Sequence, residues 1–328
     1  MRLVRTLALA ATCAVAVIAA TAGADEGGRI QVDPALQAYR RVSEPLSGNL
    51  NSIGSDTMNN LMTYWAEGFN RYYPDVRVQV EGKGSSTAPP ALIDGTSQFG
   101  PMSREMKSEE IDKFEKKFGY KPTQFRTSMD ALAVFVHRDN PLRSLSLSQI
   151  DSIFSSTRKR GGPEITKWGQ LGLTGEWADK PIHLYGRNSA SGTYGFFKEH
   201  ALKKGDYKDT VKEQPGSAAV VQGVTEDRFA MGYSGIGYKT SGVRATPLAE
   251  SDDSPAADAD YDHVVDGTYP LGRYLYLYVN KAPGKAMSPL EREFLRYVFS
   301  KEGQEIVVKD GYLPLDEKAC ARERAKLQ

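Results

Sequence analysis

Pro181-Ile182-His183-Leu184-Tyr185 runs into Gly186-Arg187-Asn188-Ser189-Ala190-Ser191-Gly192-Thr193, and this stretch decides how the 328-residue chain is read. An apolar run of strand length meets a turn of small and hydroxyl residues, and a helix is expected from Tyr194. A helix start offers backbone N–H groups without intrahelical partners and the positive end of the helix dipole, which together favour an anion. Arg187 adds a rigid fork of donors that matches two oxygens of a tetrahedral anion. Ser191, Gly192 and Thr193 add hydroxyls and main-chain N–H groups without bulk. An arginine in a surface ion pair beside an ordinary helix cap has the same local sequence, so this turn alone leaves both readings open.

Working outward, three more turns repeat the pattern. Asn49 to Ile53 leads into Gly54-Ser55-Asp56-Thr57, after which Met58, Leu61, Met62, Trp65 and Phe69 recur at helical spacing. Val76 to Val80 alternates apolar with polar, as a strand does, and enters Gly82-Lys83-Gly84-Ser85-Ser86-Thr87. Phe99-Gly100 enters Pro101-Met102-Ser103-Arg104, and a charged helix from Ser108 to Phe118 follows, with Glu109 and Glu110 in its first turn. Asp130–His137 and Leu275–Val279 read as strands, Ser148–Phe154 as a helix, and Pro289–Val308 as one terminal helix. Strands alternating with helices imply an α/β architecture with largely parallel sheets. Ligands of such sheets bind beyond the carboxyl ends of the strands. Four Gly/Ser/Thr turns in equivalent strand-to-helix positions therefore point to one shared anion site.

The two ends of the chain set the context. Arg2 and Arg5, the apolar run from Leu7 to Ala20 and the small-x-small Ala22-Gly23-Ala24 read as a signal peptide over residues 1–24, cleaved before Asp25. Residues 25–47, polar and carrying Pro34 and Pro45, read as a loose N-terminal leader. Export removes Cys13 and leaves Cys320 as the one remaining cysteine, so an internal disulfide is excluded and core burial must supply the stability. The chain has 42 basic and 41 acidic residues; loss of Arg2 and Arg5 leaves 40 against 41. That balance gives no bulk field for nucleic acid or an anionic membrane, and an anion must be caught by a local site.

Catalysis is poorly supported. A serine nucleophile needs a general base, usually a histidine. The histidines are His137, His183, His200 and His263, and none lies in a candidate turn. Gly232-Tyr233-Ser234-Gly235-Ile236 fails the last position of a nucleophile elbow. Metal-ligand spacing is missing too. The chain reads as a binding protein without cofactor or metal. Two alternatives remain: a binder of another oxyanion such as sulfate or molybdate, and an exported phosphatase.

Gly54-Ser-Asp-Thr-Met58, Gly82-Lys-Gly-Ser-Ser-Thr-Ala-Pro-Pro90, Gly100-Pro-Met-Ser-Arg104 and Arg187-x-x-x-Ser191-Gly-Thr193 resemble, in order and spacing, the periplasmic phosphate-binding proteins of ABC transporters. The likeness extends from about Gly48 to Pro314, through Ile153-Phe154, Trp168 and Leu171 to Gly232-Tyr233. The resemblance implies a two-lobed α/β fold with the ligand cleft between lobes joined by two crossing strands, expected near Ala131–Val136 and Tyr274–Val279. One lobe is then discontinuous (48–130 and 280–328) and the other spans 131–279. It also implies phosphate contacts from Thr57, Met58, Ser85, Ser86, Arg187, Ser191, Gly192 and Thr193. As an exported, periplasmic monomer, such a protein delivers phosphate to a membrane permease and its ATPase.

Well-known members of that family end the third block with an aspartate, which accepts the proton of monohydrogen phosphate. Here Ser103 holds the position. A serine hydroxyl donates or accepts, so it still suits a phosphate oxygen. Asp56 is the carboxylate within a candidate turn, either the proton acceptor or a cap at the helix start. Arg104 either adds charge to the site or braces acidic neighbours.

Overall fold

The computed structural model describes residues 30–328, and the expected signal peptide lies outside the described residues. In chain order the first half holds β1 (Gly48–Ile53), α1 (Asn59–Asn70), β2 (Val76–Glu81), α2 (Ala88–Asp94), β3 (Gly100–Met102), α3 (Ser108–Phe118), β4 (Thr123–His137), β5 (Leu145–Ser146) and α4 (Leu147–Phe154). The second half holds β6 (His183–Arg187), α5 (Gly192–His200), β7 (Lys212–Gln214), α6 (Ser217–Glu226), β8 (Ala230–Gly235), β9 (Val243–Ala245), β10 (Leu248–Ala249), α7 (Tyr261–Val265), β11 (Gly272–Val279), α8 (Pro289–Val298), α9 (Lys301–Lys309) and α10 (Glu317–Ala325).

Two apolar cores organise these elements into two α/β lobes. The first gathers Leu50 of β1, Leu61, Trp65 and Phe69 along one face of α1, Leu275, Leu277 and Val279 of β11, and Phe294 and Val298 of α8. The second gathers Ala131, Leu132, Val134 and Val136 of β4, Ile150, Ile153 and Phe154 of α4, Trp168, Phe197 of α5, and Met231 and Tyr233 of β8. Burying a Leu, Ile, Val, Phe or Met side chain in this way stabilises the fold by about 1.5–3 kcal/mol, and each lobe has its own set of them.

A sheet in the order β3-β11-β4-β8-β6-β7, with β9 also on β4, runs through both cores. β4 makes this possible. Its first half pairs antiparallel with β11, Thr123 opposite Val279 and Ala131 opposite Gly272. Its second half, Leu132 to Val136, pairs with β8. β4 begins at Thr123, earlier than the apolar run from Asp130 suggests, because Thr123, Gln124, Arg126 and Ser128 conceal the strand in a polar sequence. In the first lobe β1 and β2 are parallel, and in the second β6 is parallel to β7 and β8. The candidate turns follow β1, β2 and β6, and the third is β3 with the residues after it.

Three readings change. The large sheet is not mainly parallel, since β11 pairs antiparallel with β3 and β4, and β4 antiparallel with β8 and β9. The leader is not loose where it is described: Leu36 and Tyr39 join the first core, and the Tyr39 hydroxyl donates to Glu293 at 3.0 Å while its N–H donates to Glu302 at 2.7 Å. The single helix expected over Pro289–Val308 is α8 and α9, separated at Ser300. The Ser300 hydroxyl accepts from Gly303 N–H and caps a new helix start. Beyond it, Asp316 caps α10, a helix of good formers that the apolar pattern does not mark.

Asp310, at the end of α9, is buried, and its Oδ2 meets no hydrogen-bond partner among the described residues. Burial pushes its carboxyl up to about 7. A raised carboxyl stabilises the fold fully below the ordinary value of 3.8, and this contribution is lost as pH rises through about 7. Asp310→Asn is therefore expected to be more stable than wild type at pH 8, by about 2 kcal/mol once partial solvent access is allowed for. The difference should vanish near pH 4, and urea melts at the two pH values check it.

Candidate anion site between the lobes

The site is built where the turns of the two lobes meet. From the first lobe come Thr57, Ser85 and Ser103, and from the second Arg187, Ser191, Gly192 and Thr193; all are buried. Thr57 Oγ1 lies 2.9 Å from Thr193 Oγ1 across the cleft. Ser103 Oγ is a hub: it accepts from Ser55 Oγ at 3.0 Å and from Thr193 Oγ1 at 3.4 Å, and lies 3.3 Å from Ser85 Oγ. Ser85 Oγ in turn accepts the Ser103 N–H at 3.0 Å. Gly192 fits between these hydroxyls, since a Cβ there would stand 2.3 Å from Ser85 Oγ and 2.7 Å from Ser103 Oγ.

Arg187 ends β6 and is 1% exposed. Its Nη1 donates to Ser217 Oγ at 2.6 Å, its Nη2 donates to Pro215 O at 3.3 Å, and Nη2 lies 3.1 Å from Asp56 Oδ2. Its Nε is buried with no acceptor among the described residues. The Tyr233 hydroxyl accepts the Arg187 N–H at 3.2 Å, and the Tyr233 ring stacks on Phe197 at 4.0 Å, so the second core fixes the root of the side chain. Burial pulls the guanidinium down from its usual value while Asp56 opposes that shift. An arginine starts so high that it stays charged. The surface ion pair left open by the sequence is excluded by this burial.

Ser191 caps α5, its Oγ accepting from Thr193 N–H at 3.1 Å and Tyr194 N–H at 3.4 Å, which leaves its own proton to donate. Met58 keeps its side chain in the first core, and its N–H donates to Ser55 O at 3.2 Å. Ser86 is the outlier: both its N–H and its hydroxyl donate to Ala190 O, at 3.2 and 3.1 Å, tying the second turn to the fourth. Asp56 does not cap its own helix start. Its Oδ2 instead accepts the Ser217 N–H at 2.8 Å, at the beginning of α6 in the other lobe, beside Arg187. Arg104 braces, donating through Nη1 and Nη2 to Glu110 at 2.8 and 2.7 Å. His183 pairs with Asp227 and His263 with Asp260, both away from the turns.

Three residues of this centre escape the sequence reading. Ser217 follows Pro215-Gly216 between β7 and α6, a fifth strand-to-helix turn of the same small-residue form. Asp130 and Arg273 lie in β4 and β11 and face each other in register, with no local motif to mark them. Arg273 Nε and Nη2 donate to Asp130 Oδ2 at 2.9 and 2.7 Å, and Asp130 Oδ1 accepts the Ile236 N–H at 3.0 Å. Arg273 Nη1 also donates to Ser103 O at 2.8 Å, and Nη2 to Thr193 Oγ1 at 2.9 Å. Among the described residues no cluster of three or more His, Cys, Asp or Glu side chains suits a metal ion, and no helix is long and apolar enough to cross a membrane.

This geometry has relatives. Residues 41–302 match the model of the PBP superfamily domain. The phosphate-binding protein PstS of Pseudomonas aeruginosa is 53% identical over 98% of both chains, and PstS of Staphylococcus saprophyticus is 26% identical over 85% of this chain and 84% of its own. A Clostridium perfringens protein solved with bound phosphate, and described as the substrate-binding protein of a phosphate ABC transporter, superposes with a TM-score of 0.69 at 25% identity. That alignment covers 82% of this chain and all of the other. The four ordered turns, the two lobes that bring them together and the match over nearly the whole length agree: the chain belongs to the PBP superfamily, among the phosphate-binding proteins represented by PstS of Pseudomonas aeruginosa.

Proposed function

We propose that this protein binds inorganic phosphate between its lobes and delivers it to the permease and ATPase of an ABC importer, acting as an exported monomer in the periplasm. It is a binder and not an enzyme. The observation that carries the reading is Arg187, a buried guanidinium with an unpaired Nε, set between Ser217 of its own lobe and Asp56 of the facing turn. A buried donor left unpaired costs about 1–3 kcal/mol, and an oxyanion oxygen relieves that cost. Thr57, Ser85, Ser103, Ser191 and Thr193 supply further donors, and Gly192 lets the two lobes close upon them. The hinge lies where β4 and β11 pass between the cores, near Asp130–Ala131 and Leu271–Arg273. β11 then moves with the first lobe, because Leu275, Leu277 and Val279 pack in the first core.

Ser103 gives specific support to one competing reading. Without a carboxylate at that position, a fully ionised oxyanion such as sulfate is less strongly repelled. Asp56 is the group able to discriminate: Oδ2 is held by Arg187 and Ser217 while Oδ1 takes neither contact. Asp56→Asn is expected to raise sulfate affinity relative to phosphate by about tenfold, the size of one charge-assisted hydrogen bond. Calorimetric titration of wild type and variant with both anions measures the ratio. An unchanged ratio limits Asp56 to holding Arg187 and α6 in place.

A further inference from the structure

Arg273 belongs to the crossing strands and not to any of the anion turns, yet its side chain reaches the turns of both lobes. Through Nη1 it holds the Ser103 carbonyl in the first lobe, and through Nη2 the Thr193 hydroxyl in the second. It is 6% exposed, its partner Asp130 is 0% exposed, and the Phe196 ring lies 5.2 Å from the guanidinium carbon.

A guanidinium only donates hydrogen bonds. The 2.9 Å contact from Arg273 Nη2 therefore fills an acceptor position of Thr193 Oγ1 and obliges the Thr193 proton to point elsewhere. The acceptors in reach are Thr57 Oγ1 at 2.9 Å, Ser103 Oγ at 3.4 Å, and an anion bound among them. Asp130 fixes the guanidinium for this task by accepting from both Nε and Nη2. Asp130 also cancels most of the Arg273 charge, so the long-range attraction for the anion comes mainly from Arg187 and the Arg273 effect is local.

We propose that Arg273, clamped by Asp130, is a positioning residue of the phosphate site that forces the Thr193 hydroxyl to act as a donor to the anion. This inference rests on the phosphate reading above. It places a determinant of affinity on the hinge strands: the same side chain that orients Thr193 also ties both lobes to the crossing point.

A double-mutant cycle tests it, with phosphate affinity measured by calorimetry on purified full-length mature protein. Arg273→Lys should weaken phosphate binding about tenfold, the effect of one lost charge-assisted hydrogen bond. Thr193→Val removes the oriented hydroxyl, and in that background Arg273→Lys should change affinity by no more than about threefold, because coupled residues are not additive. Equal fold-losses in the two backgrounds, or an unchanged affinity for Arg273→Lys, overturn the proposal. If Arg273→Lys gives no cooperative melt, Asp130→Asn replaces it in the same cycle and keeps Arg273 itself. Its loss should likewise collapse in the Thr193→Val background, and equal losses again overturn the proposal. Failure of the wild-type protein to bind phosphate removes the underlying reading, whereas wild-type binding with indifferent Arg273 and Asp130 variants removes this inference alone.

Discussion

Gly192→Ala is expected to abolish high-affinity phosphate binding while leaving the thermal melt nearly unchanged. The added methyl would stand 2.3 Å from Ser85 Oγ and 2.7 Å from Ser103 Oγ, both on the opposite lobe. Real Cβ atoms do not approach so closely. Rotation can move the two Oγ atoms but not Ser85 Cβ, which the methyl would meet at 2.9 Å, so one lobe must back away from the other and the hydroxyls of the two sides no longer reach a common anion. Neither core is touched: Gly192 opens α5, where alanine is a better helix former than glycine. A loss of at least about 100-fold in affinity, or 2.7 kcal/mol, with a melting temperature within a few degrees of wild type, is the expected pair of results. Affinity preserved in Gly192→Ala would mean that the anion does not bind between these turns.

Arg187→Ala should be nearly as severe, for a different reason. Here the lobes still close, but the anion loses its main counter-charge inside a buried site. Removing one partner of a buried charged pair costs about 2–3 kcal/mol or more, so phosphate should bind roughly 100-fold more weakly. The variant also strands Asp56, whose Oδ2 lies 3.1 Å from Arg187 Nη2. Stability should therefore fall with affinity, unlike the Gly192 variant. Arg187→Lys should rescue little, because an ammonium cannot reach Ser217, Pro215 and an anion at once as the fork does. Calorimetry and thermal melts on the three variants separate steric obstruction from lost charge.

Much of this molecule is legible in its sequence because the decisive features are local. Each candidate turn announces itself by small hydroxyl residues that follow a strand-like segment. The buried hydroxyl cluster of Thr57, Ser85, Ser103 and Thr193 is the spatial sum of those turns. Features that depend on pairing between distant segments are not legible. Arg273 sits in Gly272-Arg273-Tyr274, an ordinary strand sequence, and acquires its meaning from Asp130, 143 residues away, through the β4–β11 register. Asp56 has the sequence of a helix cap, and the closeness of α6 redirects its carboxylate to Ser217 and Arg187. The polar first half of β4 is hidden for the same reason: its burial comes from β11 and α10, which the local pattern does not contain. Ser217 is the instructive miss, since Pro215-Gly216-Ser217 has the same small-residue form as the other turns but follows a strand of three polar residues, Lys212 to Gln214.

The most direct test of the whole account is a calorimetric titration of the purified mature protein against phosphate, sulfate and molybdate, with a chromogenic phosphoester assay beside it. The expected result is one saturable phosphate site per chain, sulfate and molybdate weaker by at least about tenfold, and no phosphoester turnover. Equal or tighter binding of sulfate or molybdate, or release of phosphate from the ester, would contradict it.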